Sequence, residues 1–267
     1  MFREITLGQY YQTESPLHSL DPRVKLIGTI VFIISLFIVN SFAGYAVCAV
    51  FLFAMIKLSH VPFRYIIRGM KTILFLLMIT VAFNLFLTPG EPILHIWKLT
   101  MTREGLALAV KMAVRLTFLI IGSSLMTLTT TPNQLTDALE NVMGPLKKLH
   151  VPVHEISMMM SIALRFIPIL MEETDKIMKA QIARGADFES RNLMKKIKSL
   201  VPLLVPLFIS AFRRANDLAL SMEARCYRGG DGRTKMKPLV YTKKDTLAYA
   251  VLVLFAAVCI GMRIAGV

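Results

Sequence analysis

The chain has 267 residues, 55% of them hydrophobic, and carries 31 Lys and Arg against 17 Asp and Glu, a net charge of +14. With a mean hydropathy of +0.60 it is too apolar for an ordinary soluble domain and falls in the membrane class. A strongly basic balance can signal nucleic acid or anionic lipid, but in a membrane protein it is first a topological signal, because Lys and Arg stay on the cytoplasmic side.

Along the chain, the first apolar run begins only near Val24, so no cleavable signal peptide is expected ahead of it. Four runs come first, roughly Val24–Val39, Phe42–Leu58, Thr72–Leu87 and Leu106–Leu128, and a fifth is Thr246–Met262. Each is near the ~20 residues needed to cross the hydrocarbon core, the shorter ones leaning on their flanks. The expectation is an all-α polytopic membrane protein with five transmembrane helices. It divides into a four-span part (1–130), a long helical insert (131–245) and the fifth span (246–267). Cys48, Cys226 and Cys259 have no metal or framework spacing and read as reduced or buried thiols.

Orientation comes from the short loops. The stretch between spans two and three carries Lys57, Arg64, Arg68 and Lys71 and no acid, whereas the next balances Lys98 and Arg103 against Glu91 and Glu104. The first loop is then cytoplasmic and the second external, which puts the N-terminus inside and the C-terminus outside. Nineteen basic residues fall in the insert, on the cytoplasmic side of this scheme, and only Lys98, Arg103 and Arg263 fall outside. Lys111 and Arg115 remain, one turn apart in span four; they read either as a polar pathway or as side chains snorkelling to the outer interface.

The insert is helical throughout. Thr131-Pro132 is a cap with a first-turn proline, and Gly144-Pro145 breaks the helix that this cap starts. Ile156, Met159, Ala163, Ile167, Leu170, Thr174, Ile177 and Gln181 then recur in steps of three or four, forming one face. That helix would be a rod of roughly 45 Å, kinked at Pro168. A further segment repeats the pattern through Phe208, Ala211, Phe212, Ala215, Ala219 and Met222. Its front part, Leu200–Ala211, is too short to span and is expected to lie along the membrane or under the other helices.

Both long helices end alike, in Ala183-Arg184-Gly185 and, 41 residues later, Ala224-Arg225-Cys226. An arginine in a last turn favours the helix macrodipole, and a glycine just after it is a C-cap. The recurrence, the small neighbours and the shared side of the membrane support a second reading. A guanidinium makes bidentate contacts and anchors interfaces, so the two ends read as docking points for a cytoplasmic partner with two equivalent grooves.

The sequence resembles the transmembrane (T) component of energy-coupling-factor (ECF) transporters, the EcfT family, in the vitamin-importing branch of ATP-binding-cassette systems. The resemblance runs almost end to end, through SPLHSLDPRVKL (15–26), ALRFIPILMEE (163–173), AQIARG (180–185) and MEARCYRGG (222–230). It implies that Arg184 and Arg225 dock onto two ABC-type ATPase subunits, with Cys226 standing as a small residue where glycine is also common. The resemblance further implies that ATP is bound by those partners and no cofactor by this chain. Motion of the helices would pass to a small membrane substrate-binding (S) subunit, which topples to release its vitamin inside. Met158–Met160, Met171, Met178 and Met222 would suit that exchanging surface, or else pack an ordinary core.

No catalytic machinery is legible. There is no G-x-x-x-x-G-K-[ST] loop, Gly69-Met70-Lys71-Thr72 being a superficial echo, and no H-E-x-x-H. His150 and His154 are four apart but separated by Pro152. Glu172, Glu173 and Asp175 read as a solvated face or as partners of Lys176 and Lys179. The chain is therefore expected to be no enzyme and to bind lipid rather than nucleic acid. The alternative is a self-sufficient secondary transporter or channel. It would need polar groups at mid-membrane, for which Ser35, Thr80 and Asn84 are the best on offer in the first three spans.

Overall fold

A computed structural model of the chain describes residues 10–89, 92–96, 99–186, 193–230, 236 and 238–265. Among the described residues eight α-helices run in order: α1 Pro22–Ile38, α2 Phe42–Ser59, α3 Phe63–Leu87, α4 Arg103–Thr129, α5 Pro132–Val142, α6 Val153–Ala183, α7 Leu193–Ala224 and α8 Lys243–Ile264. The chain divides into two compact units, one of Gly8–Asn141 with Leu239–Val267, the other of Met1–Leu7 with Val142–Pro238.

The first unit holds a helix for each of the five apolar runs. Length and composition alone mark α2, α4, α6 and α8 as able to cross a membrane, with Ile73–Phe86 of α3 as a shorter apolar stretch. The protein is an all-α polytopic membrane protein. Helix α6, placed in the insert by sequence, meets the same test because its acidic and basic residues gather in its second half. Helix α1 has 17 residues, about 26 Å of rise, and crosses only with help from its flanks. The basic loop between spans two and three is mostly helix: α3 starts at Phe63, so Arg64, Arg68 and Lys71 sit on its first turns.

Helices α1, α8, α2 and α4 pack in a ring, each against the next, and α3 packs on α4. The ring is centred on Phe32, Phe51 and Phe255, the last two stacked at 4.1 Å between centroids. Buried with them are Leu36, Cys48 and Cys259; both cysteines are free thiols, as expected, whereas Cys226 is exposed. Between α3 and α4 the sequence reading missed a two-stranded antiparallel hairpin, β1 Pro92–Ile96 and β2 Leu99–Thr102. Thr102 closes it: its hydroxyl donates to the Thr88 carbonyl at 2.8 Å and accepts the Gly105 N–H at 3.1 Å. A Cβ on Gly105 would lie 2.9 Å from the Asn84 carbonyl oxygen, so only glycine lets α3 and α4 approach this closely. Glu91 and Lys98 of this loop lie outside the described residues.

The conspicuous sequence SLDPRVK forms a clasp. Asp21 caps α1, accepting the Arg23 N–H at 2.8 Å, while the Arg23 guanidinium donates to both Asp21 oxygens and to the Leu239 carbonyl. The Asp21 N–H in turn donates to Asp245 Oδ1 at 2.8 Å, joining the start of α1 to the start of α8. Asp245 is also the acid of a capping box with Thr242. Lys25 donates to the His18 and Thr129 carbonyls at 3.0 and 2.9 Å, tying in the end of α4.

Lys111 and Arg115 both meet the corner between α1 and α2. Arg115 donates to Tyr45 Oη, the Val39 carbonyl and Asn40 Oδ1 at 3.0, 3.1 and 2.8 Å, so it caps the end of α1 and fixes the α1–α2 corner. Lys111 stands over the Phe42 ring at 5.3 Å.

Helix α5 begins as Thr131-Pro132 suggested: Thr131 and Gln134 exchange hydrogen bonds, side chain to backbone, in both directions.

Candidate functional site

The second unit supplies the two helix ends singled out by sequence. It opens, past Gly144, with a 3-10 helix, Gly144–Leu149. Helix α6 then runs 31 residues and α7 runs 32, carrying Pro168 in the first and Pro202 and Pro206 in the second.

The two ends close with the same hydrogen-bond pattern. After α6, Gly185 N–H donates to the Ile182 carbonyl at 2.9 Å and Ala186 N–H to that of Gln181 at 3.0 Å. After α7, Cys226 N–H donates to the Glu223 carbonyl at 2.8 Å and Tyr227 N–H to that of Met222 at 3.0 Å. Both are Schellman caps, in which a left-handed residue turns the chain so that its N–H groups satisfy the last carbonyls. Gly185 takes φ +89 and Cys226 takes φ +53. Glycine does so without strain; cysteine adopts it at a cost of about 1 kcal/mol. Arg184 and Arg225 thus occupy one and the same position, the last before the turn.

The left-handed residue after each arginine is the C-cap that the helix-end reading expects. The backbone of the next residues does the capping, so neither guanidinium is needed for it. Among the described residues neither guanidinium has a hydrogen-bond or ion-pair partner, and Ala183, Arg184, Gly185, Ala224, Arg225 and Cys226 are all exposed. Each end offers a planar five-donor cation flanked by residues too small to cover it. Sequence reasoning named all six positions. It missed Tyr227 and Ala186, whose N–H groups complete the caps; the pairing of a left-handed residue with the one after it was the available signal.

Along their lengths α6 and α7 pack through a polar bridge. Glu173 accepts from Ser210 Oγ at 2.9 Å and from the Arg214 guanidinium, and these donors hold its carboxyl below the usual range. The acidic cluster is therefore not a purely solvated face: Glu173 reaches across to α7, with Lys176 a weaker influence. Much apolar surface stays uncovered. Met159, Met160, Leu204, Val205, Phe208 and Phe212 are exposed, and only Val153, Ser157 and Leu203 of the two helices are buried among the described residues. Met158, Met171, Met178 and Met222 are half-buried. Among the described residues no three His, Cys, Asp or Glu side chains gather as a metal-binding group would require.

The comparisons with known proteins agree with the motif reading. The CbiQ family model, described as cobalt transport protein, matches residues 13–236. The energy-coupling factor transporter transmembrane protein EcfT of Clostridium kluyveri is 56% identical over 266 residues, covering 99% of this chain and 98% of the relative. The EcfT proteins of Ruminiclostridium cellulolyticum and Bacillus subtilis are 51% and 45% identical, over 96% and 98% of this chain and 96% and 100% of the relatives. A match of this depth over nearly the whole chain places it in the family of energy-coupling factor transporter transmembrane proteins, EcfT.

Proposed function

We propose that the chain is the non-catalytic transmembrane scaffold of an ECF-type ABC importer. Two cytoplasmic ATPase subunits dock on it, Arg184 entering one and Arg225 the other, and a membrane S subunit rests on its helices. ATP is bound and hydrolysed by the partners; this chain holds no cofactor of its own. Closure and opening of the ATPase pair move the two docked ends, and α6 and α7 carry that motion to the S subunit, which delivers a vitamin or other micronutrient. The N-terminus and residues 131–245 face the cytoplasm and the C-terminus lies outside.

The observation that carries this reading is the duplicated cap. Two helices of nearly equal length end in the same backbone geometry, and each holds one exposed arginine between small residues. Two equivalent anchors call for two equivalent sockets, which an ATPase pair supplies. The uncovered apolar faces of α6 and α7 support a membrane partner, since exposed apolar surface of this extent marks an interaction site or lipid.

The test is co-purification of the tagged chain with the ATPases of its host. Two ATPase subunits per chain are expected with the wild type, and loss of both with Arg184→Ala/Arg225→Ala at unchanged membrane insertion. Unaltered stoichiometry and transport in the double variant would remove the docking role. A C-terminal reporter fusion active only in the cytoplasm would overturn the orientation.

A further inference from the structure

The ring of α1, α8, α2 and α4 is filled by the phenylalanine stack in its middle but not at the end where α1 and α8 begin and α2 and α4 stop. There it encloses a cavity of about 310 Å³. Its walls are almost wholly hydrocarbon, with Leu20, Val24, Met55, Leu125, Ala248 and Leu252 among them, and Phe32 and Phe51 close its inner end. Leu58, Leu247 and Val251 also line it and are 47, 70 and 46% exposed, so the cavity opens sideways between α2 and α8.

Two ionisable side chains line the cavity, Lys25 and Lys244, and both are cationic. Lys25 is held in place by the His18 and Thr129 carbonyls, while Lys244 is exposed on the first turn of α8 beside Lys243. The nearby carboxylates are engaged elsewhere: Asp21 by Arg23, Asp245 by the Asp21 and Thr242 N–H groups. An apolar cavity of this kind does not hold water. Set in a bilayer and open to the side, it takes hydrocarbon from the leaflet, which restores the van der Waals contacts that an empty void would forfeit. Cations at the same membrane face select an anionic headgroup, as basic sites between membrane helices do.

We propose that this cavity is a lipid site: one acyl chain of an anionic phospholipid enters between α2 and α8, and its phosphate rests beside Lys244. The occupant would complete the core where side chains leave it open. It would also make packing of the clasp end sensitive to the composition of that leaflet.

The test is native mass spectrometry of the full chain in mild detergent, titrated with phosphatidylglycerol or with phosphatidylcholine of the same acyl chains. The wild type is expected to retain one phosphatidylglycerol at least fivefold better than phosphatidylcholine. Lys244→Gln should cut that preference about fivefold, the contribution of one lysine near a charged membrane surface. Ala248→Trp should abolish retention of both lipids; Met55→Trp, from the opposite wall, serves if the first variant loses its thermal stability. Equal retention of the two lipids by the wild type would overturn the headgroup assignment. Undiminished phosphatidylglycerol binding in a folded Trp variant would overturn the site.

Discussion

Asp245 is the residue whose loss should cost the membrane unit most, because three donors from two distant segments depend on it. It is 1% exposed. Its Oδ1 accepts the Asp21 N–H at 2.8 Å, and its Oδ2 accepts the Thr242 N–H and hydroxyl, both at 2.7 Å. Asp245→Asn keeps the shape but leaves a single accepting oxygen. Whichever way the amide turns, its NH2 faces a backbone N–H, so one charge-assisted bond is lost and one buried donor is orphaned. Each such loss is worth about 1–3 kcal/mol, giving roughly 2–4 kcal/mol in all. At about 2–4 °C per kcal/mol for a chain of this order of size, the midpoint should fall by roughly 4–16 °C. Asp245→Ala, which orphans all the donors, should fall further, and Thr242→Ala, which removes one hydroxyl, least. Thermal unfolding of the detergent-purified variants, monitored by size exclusion, measures the series. An Asp245→Asn midpoint within 1 °C of the wild type would refute the clasp as a stabilising link.

Arg115→Met removes all three bonds at the α1–α2 corner and should cost about 2 kcal/mol; Arg115→Lys should restore only part, since a single ammonium cannot reproduce the fork. Gly185→Ala, forced to φ +89, should destabilise the α6 cap by about 1–2 kcal/mol. Cys226→Gly should be neutral or stabilising by up to about 1 kcal/mol, because relief of the left-handed strain outweighs or balances the extra backbone entropy. Opposite signs in matched unfolding curves would contradict the shared cap. His18 gives a pH dependence. It lies between Ser15 Oγ at 2.6 Å and the Tyr11 carbonyl at 3.0 Å, and burial lowers its pKa from 6.5. The unfolded chain then takes up the proton first, so this contribution is complete above pH 6.5 and is lost as pH falls below it. Wild type should lose more stability than His18→Gln between pH 7.5 and 5.5; parallel curves would exclude it.

What could be read from the sequence divides along the range of the interactions. The spans were legible because an apolar run near 20 residues is a local signal, and each became a helix with ends within a few residues of the expected ones, apart from the early start of α3. There, Arg64, Arg68 and Lys71 lie outside the apolar run and so read as loop, whereas charge ends only the hydrophobic stretch and not the helix. Arg115 was not legible, since its partners Val39, Asn40 and Tyr45 lie 70 or more residues away in the chain. The clasp was half legible: Thr242-Lys243-Lys244-Asp245 before an apolar run is a capping box in letters, but nothing local announces that its acid also holds Asp21.

The helix ends show the same division, and they bear most directly on function. The repeat of Ala-Arg-small was visible in one dimension; its cause was not. A glycine would suffice for either turn, and one end uses it, yet the other holds the left-handed conformation with a cysteine that gains nothing from it. Since two residues with different backbone preferences reach one geometry, the geometry is set by what the caps share: the 6→1 and 5→2 hydrogen bonds and a side chain small enough to leave the arginine uncovered. What the chain repeats is therefore the way a guanidinium is presented, more than a string of letters. Under the docking role proposed for Arg225, a substitution that keeps this arginine but puts bulk at Cys226 should reduce co-purification of the ATPases as an arginine deletion does, while leaving the charge in place.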